Sequence, residues 1–178
     1  MLAGFKAKNH PQQTRYKGSS KEVDDRALPL EDFAPLNDRF RFTIDVAASE
    51  QNKKCERYFD EQANGLEQSW AGERVYANPP FSRVRPWIDK AWSERDSEII
   101  VMLLPANRTE QTWWMQGIEP YRDRNGSVLT TEFLSGRIRF LKPGQSHIGP
   151  NERPPFGCVL CIWHWSCGPV VKREAGLF

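Results

Sequence analysis

Asn78-Pro79-Pro80-Phe81 is a stretch whose residue types and order can do chemistry. Asn78 carries a side-chain carbonyl, a hydrogen-bond acceptor. Two successive prolines fix φ and remove two backbone donors, so the carbonyls beside them have no competing N–H group. The product is a rigid corner rich in acceptors, followed by an aromatic ring at Phe81. A planar molecule with an exocyclic NH₂ fits this corner. The Asn78 amide oxygen and the Pro79 carbonyl can each accept one amino proton, while Phe81 stacks on the ring. That holds the nitrogen lone pair toward an electrophile, so the rate gain is one of alignment. The competing reading is a proline-rich turn after an edge strand, common in loops.

Other residues carry weaker signals. Cys158, Cys161, His164 and Cys167 are spaced like metal ligands. Cys158 and Cys161 fall in an apolar strand, however, where an odd offset points them to opposite faces. Two ligands cannot converge from there, so the group is assigned to the core and no metal is expected. His10, His147 and His164 pair with no evident nucleophile. Of the seven Trp, Trp113-Trp114 stands between loop and helix, and is either core or a surface that lines a pocket or stacks on a nucleic acid. Arg108, Arg122, Arg124, Arg137, Arg139 and Lys142 lie on expected loops and short strands. They are either solvated surface charges or contacts to phosphates and guanine edges.

These residues need elements to position them. A helix is expected over residues 24–40, with Pro29 in its first turn and Pro35 limiting its regularity. Residues 41–46 alternate and read as a strand with Phe42 and Ile44 on one face. Residues 50–70 suggest one short helix and a loop. A very short strand at residues 75–77 leads into the tetrapeptide. Trp87, Ile88, Ala91 and Trp92 then share a helical face. Residues 99–104 are continuously apolar, as in a strand buried on both faces of a parallel sheet. A helix from Thr109 to Gln116 capped by Thr109, a strand at residues 127–134, a turn and short strand from Gly136 to Leu141, a loop at residues 142–156 and a strand at residues 158–165 complete the series. Strand–helix–strand order argues an α/β fold with a mainly parallel sheet. The tetrapeptide follows a strand, and open α/β sheets bind ligands at the carboxyl ends of their strands.

The chain has 178 residues, 39% hydrophobic and 27% charged, the length of one domain and the composition of an ordinary globular protein. It contains no apolar run near the ~20 residues that span a bilayer and no signal-peptide core, so no membrane association and a cytoplasmic location are expected. Four Cys do not make a disulfide scaffold. The net charge of +2 says little, but residues 1–21 carry Lys6, Lys8, Arg15, Lys17 and Lys21 and no acid. Residues 1–23 therefore read as a flexible basic arm, either a solvated tail or a contact for phosphates. Residues 24–170 form the domain and residues 171–178 a C-terminal tail.

Several segments in chain order carry a family likeness. They are Phe42-Thr43-Ile44-Asp45-Val46-Ala47-Ala48-Ser49, Asn52-Lys53-Lys54-Cys55, Gly65-Leu66, Trp70, the tetrapeptide, Trp87 to Ala91, Leu103-Leu104-Pro105-Ala106, Trp113-Trp114 and Gly136-Arg137-Ile138-Arg139-Phe140. Through them the chain resembles the phage-type DNA N-6-adenine-methyltransferases over residues 25–165. The tetrapeptide alone is shared with enzymes that methylate other planar amides and amines. The segment at residues 42–49 makes the likeness specific.

The resemblance implies a compact Rossmann-like methyltransferase fold, a mainly parallel sheet with helices on both faces. It implies S-adenosylmethionine as methyl donor, double-stranded DNA as partner, and an adenine flipped out of the duplex to reach the site. Asn78, Pro79, Pro80 and Phe81 become the catalytic loop. The first strand's acid and the small residues after it face the donor's amino-acid end in such enzymes. By position these are Asp45, Ala47 and Ala48, with Asn78 also at the donor. A carboxylate pairs with an ammonium and small side chains admit a ligand, which agrees; Asp45 as a helix-capping carboxylate is the alternative. Where the family often has Thr-Pro touching the donor, this chain has Leu28-Pro29, so Pro29 is retained and the hydroxyl is missing. Alanines replace the usual glycine-rich turn. Only 33 positions separate Asp45 from Asn78, so the usual second strand with its ribose-binding acid is compressed or absent, and Asp60 and Glu61 are the candidates for that role. Arg108, Trp113, Arg137 and Arg139 are the candidate DNA contacts. Two other outcomes stay open: methylation of RNA or of a protein glutamine through the same motif, and a degenerate relative that binds DNA without turnover.

Overall fold

Strands β1 (Ile44–Asp45), β2 (Arg74–Ala77), β3 (Ile99–Pro105), β4 (Leu129–Phe133) and β5 (Cys158–Trp163) form one sheet in the order β1-β2-β3-β5-β4. Helices α1 (Leu30–Phe40), α2 (Arg85–Ser93) and α3 (Thr112–Gly117) accompany them. The structure, a computed structural model, describes residues 24, 27–141, 145 and 156–165. The expected arm and tail, most of the loop at residues 142–156, His10, His147, Lys142 and Cys167 lie outside the described residues.

β1, β2 and β3 pair in parallel, and β5 lies antiparallel between β3 and β4, so four of the five strands point the same way. The continuous apolar run makes β3 central: all seven of its residues are buried. Alternation divides the core in two. Val75, Ala77, Ile100, Met102 and Leu104 face α2 and α3, where Trp87, Ile88, Ala91, Trp113 and Trp114 pack. Tyr76, Val101, Leu103, Leu160 and Ile162 face α1, through Leu28, Phe33 and Phe40. Helices thus cover both faces of a mostly parallel sheet, a compact Rossmann-like methyltransferase fold.

Cys158 and Cys161 do fall on opposite faces. Burial pushes the Cys158 thiol up to about 12 and that of Cys161 higher still. His164 places Nε2 3.2 Å from Thr130 Oγ1. No helix among the described residues is long and apolar enough to cross a membrane.

Several local expectations are corrected. Helix α1 starts at Leu30 with Pro29 in the cap position, where the Pro29 carbonyl accepts from Phe33 N at 2.9 Å. Pro35 is inside α1 without ending it; its lost hydrogen bond falls on the exposed side, while Phe33 and Phe40 anchor the buried one. Arg41 adopts φ 53° as a left-handed cap, held by its N–H to Asn37 O at 2.8 Å. That turn uses up the start of the expected strand. Only Ile44–Asp45 remains, and Phe42 joins the α1 face while Ile44 joins the other. Residues 50–70 form turns and no helix. Thr109 caps nothing: α3 begins at Thr112, after Gln111.

Candidate active site

The sheet ends its first two parallel strands side by side. Asp45 closes β1, Asn78 directly follows β2, and Asp45 is the register partner of Tyr76. Strand ends of this kind are where an open α/β sheet leaves a crevice. A cleft of about 180 Å³, counted out to solvent, lies there on the α1 face. Asp45 and Ala47 come to it from β1 and the turn after it, Asn52 and Lys54 from the following loop, Tyr76 and Asn78 from β2 and its end, and Ala27 and Leu28 from the segment before α1.

Asp45 is 2% exposed. Its carboxylate accepts from Ala47 N at 3.3 Å and Lys54 N at 3.1 Å. Burial pushes the Asp45 carboxyl up to about 6, against these two hydrogen bonds and the Lys54 charge. Lys54 is half-buried, and loss of water pushes its ammonium down while Asp45 pulls it up. The site therefore keeps one acid and one base partly stripped of water on the same wall.

Beyond β1 the chain doubles back. Residues 57–59 run parallel to β1, with Asp45 N donating to Arg57 O at 3.0 Å and Phe59 N to Asp45 O at 2.9 Å. Where a second strand would stand, the described residues form only this isolated bridge, and β1 is the last named strand on that side. Asp60 follows residues 57–59, with Oδ1 accepting from Ala63 N at 2.8 Å. Gly65 lies so close to β1 that a Cβ there would run into the carbonyl oxygen of Val46.

The loop after β2 is pinned from several directions. Pro79 is buried. The Pro80 carbonyl accepts from Arg83 N at 3.0 Å, and the Phe81 carbonyl from Arg108 Nη1 at 2.8 Å. Ser82 donates its backbone N–H to Asp24 Oδ1 at 3.1 Å and its hydroxyl to Asp24 Oδ2. The Phe81 ring is half-buried and meets Phe140 and Phe156 edge-on at 5.9 and 6.0 Å.

A family model described as DNA N-6-adenine-methyltransferase (Dam) matches residues 17–171. The chain belongs to this family. It is similar to the DNA N-6-adenine-methyltransferase of Escherichia phage T1, at 37% identity over 164 residues, 83% of this chain and 67% of that protein. It is also similar to the one of Haemophilus phage HP1 (strain HP1c1), at 32% identity over 66 residues, 36% of this chain and 38% of that protein. Family membership makes the chain an adenine-specific DNA methyltransferase, and such an enzyme works with a methyl donor.

The structure brings some expected site residues of this methyltransferase together and separates others. Asp45, Ala47 and Asn78 share one cleft. Pro29 and Ala48 are not among its lining residues: Pro29 is buried at the helix start, and Ala48 N donates to Phe59 O at 3.0 Å. Leu28 is there instead, fully buried and apolar. Trp113 is 6% exposed inside the α2–α3 core, with Nε1 donating to Gln111 Oε1 at 2.7 Å. Arg108 is engaged with the loop carbonyl. Arg122 is tied to Glu119 and Asp123. Arg137 is exposed in the turn after Gly136, and Arg139 is half-buried. Sequence reasoning missed Tyr76 and Lys54 as cleft residues. Strand alternation was the available signal for Tyr76, since it stands two positions before Asn78 on the same face.

Proposed function

We propose that this chain transfers a methyl group from S-adenosylmethionine to the exocyclic amine of an adenine flipped out of double-stranded DNA. The observation that carries the reading is one cleft bordered by both Asp45 and Asn78. The first is suited to a donor's ammonium and the second to a base's NH₂.

The cleft residues suit the donor's amino-acid end. Asp45 is a buried carboxylate that a cationic partner would stabilise. Ala47 leaves room for a ligand to approach the backbone. Asp60 and Glu61, just after the short run beside β1, are the candidates for a ribose hydroxyl. When bound, the donor supplies an electrophilic methyl on a sulfonium.

On the acceptor side the chain itself needs no activated nucleophile. The Asn78 amide oxygen and the Pro79 carbonyl accept the two amino protons, which turns the nitrogen lone pair outward. The Pro80 and Phe81 carbonyls are already engaged within the protein, so the corner keeps its shape and presents the acceptor pair. Adenine's amino group is buried in a duplex, and the base therefore leaves the stack to reach the loop. The reaction belongs in the cytoplasm of a bacterial host or a phage-infected cell, where DNA and donor meet.

The test pairs donor calorimetry with tritium transfer to DNA, RNA and protein. Asn78→Ala is expected to lower transfer to DNA by about 10²- to 10³-fold, the scale set by removing one polar contact from a reacting centre, with the fold intact. Retained turnover would overturn the mechanism. Transfer to RNA or protein in preference to DNA would move the substrate. Absence of donor binding would favour a DNA-binding relative without activity, the reading that Leu28 in the cleft wall favours.

A further inference from the structure

Among the described residues, four buried side-chain polar atoms have no hydrogen-bond partner: Ser49 Oγ, Tyr76 Oη, Trp163 Nε1 and Trp165 Nε1. A buried hydroxyl without a partner costs free energy, and such atoms in native proteins usually await water or a ligand. The two indoles belong to the opposite core. Ser49 stands in the turn after β1 and does not line the cleft. Tyr76 alone of the four does, at 1% exposure.

Its setting limits what the hydroxyl meets. The ring is wedged between Phe33, edge-on at 5.0 Å, and Phe42, tilted at 5.3 Å, so the hydroxyl cannot swing out to solvent. Tyr76 pairs in register with Asp45, which puts it at the end of the cleft where the carboxylate stands. Loss of water and the Asp45 charge both hold the phenol well above its ordinary range, so it stays protonated and serves as a donor. It therefore calls for an acceptor beside whatever cation Asp45 holds. An amino-acid group has its carboxylate directly next to its ammonium, and Lys54 on the same wall supplies positive charge for it.

We propose that the Tyr76 hydroxyl donates a hydrogen bond to the carboxylate of the methyl donor's amino-acid end, beside the ammonium held by Asp45, with Lys54 balancing the charge. This rests on the donor reading of the cleft given above. It makes Tyr76 a donor-contacting residue that sets specificity for the amino-acid moiety, distinct from the acceptor contacts of the Asn78 loop.

Tyr76→Phe deletes the hydroxyl and keeps the ring. The experiment is calorimetric binding of S-adenosylhomocysteine, and of its decarboxylated form, to the full chain and to Tyr76→Phe and Asp45→Asn, with thermal melting of each protein alone. A hydrogen bond to a charged group predicts a loss of roughly ten- to a hundredfold in affinity for S-adenosylhomocysteine in Tyr76→Phe. Binding of the decarboxylated form should be insensitive to the substitution, and the unliganded variant should melt at the same or a higher temperature. Affinity within twofold of the parent in Tyr76→Phe, with a large loss in Asp45→Asn, overturns the Tyr76 contact alone. Equal losses for both ligands overturn the carboxylate assignment. No loss in either variant, or no binding by the parent, overturns the donor reading and this inference with it.

Discussion

At Asp45 a carboxyl group is enclosed by protein and its affinity for a proton rises from an ordinary 3.8 to about 6. Between those two pH values the folded chain keeps a proton that the unfolded chain releases. The native state is therefore favoured at the acid end, and that advantage is lost as pH rises through 6, by on the order of 3 kcal/mol. Denaturant midpoints taken from pH 4 to pH 8 should fall over this window, and Asp45→Asn should flatten the slope. Donor affinity has the opposite sign. The ammonium needs the ionised carboxylate, so binding should weaken as pH drops through 6; affinity independent of pH between 5 and 8 would refute the pairing. Arg108 illustrates a different point at this scale. As an isolated residue it reads as a surface charge or a phosphate contact. In the fold its guanidinium donates to the Phe81 carbonyl, which makes it a positioning residue for the proposed Asn78 loop. Arg108→Met should lower kcat while leaving calorimetric donor affinity within about twofold, since it loosens the acceptor corner and not the donor wall. Unchanged kcat with weakened DNA binding would return it to the phosphate-contact role.

The elements were legible in proportion to how much of their pattern is local. β3, β5 and α2 came from apolar runs and a helical face, and the structure forms all three, with β3 within one residue and β5 within two of their expected ends. β1 did not, because its first half is taken by the left-handed cap at Arg41, and a cap of this kind usually announces itself with glycine or asparagine. The run at residues 57–59 carries no strand pattern because pairing with β1 defines it. Gly65 packs separately against the residue after β1, where an added Cβ would meet the Val46 carbonyl. Gly65→Ala should push the Gly65 loop off Val46 at a cost of about 1–3 kcal/mol, the usual scale of overpacking, read as a lower denaturation midpoint. A midpoint equal to the parent's would mean that the close approach is not rigid. At the α2–α3 contact, Gly117 faces Ile88, whose Cγ2 would be 2.8 Å from an added Cβ; this explains how a helix of only six residues can seat two tryptophans in the core.

For the whole molecule the question is how a single sheet serves two ligands. Asp45 and Asn78, the proposed donor and acceptor residues, stand at the carboxyl ends of adjacent parallel strands, β1 and β2, and line one cleft. On the proposed reading duplex DNA approaches over the Asn78 loop, and Arg137 is exposed and Arg139 half-buried. If these touch phosphates, the double substitution to Gln should reduce the slope of log affinity against log salt by about 0.9 for each phosphate no longer neutralised; an unchanged slope in filter-binding titrations would exclude them. The sequence by itself determined the α/β class, the central strand and the family, and it proposed the Asn78 corner, because apolar runs, proline geometry and an ordered set of motifs are properties of the local chain. Only the tertiary structure decided that Trp113 is core, that Pro29 stands at the cap of a helix, that Arg108 braces the loop and that Tyr76 shares a wall with Asp45. Each of those depends on which distant residues share a surface, and strand order and register create that surface.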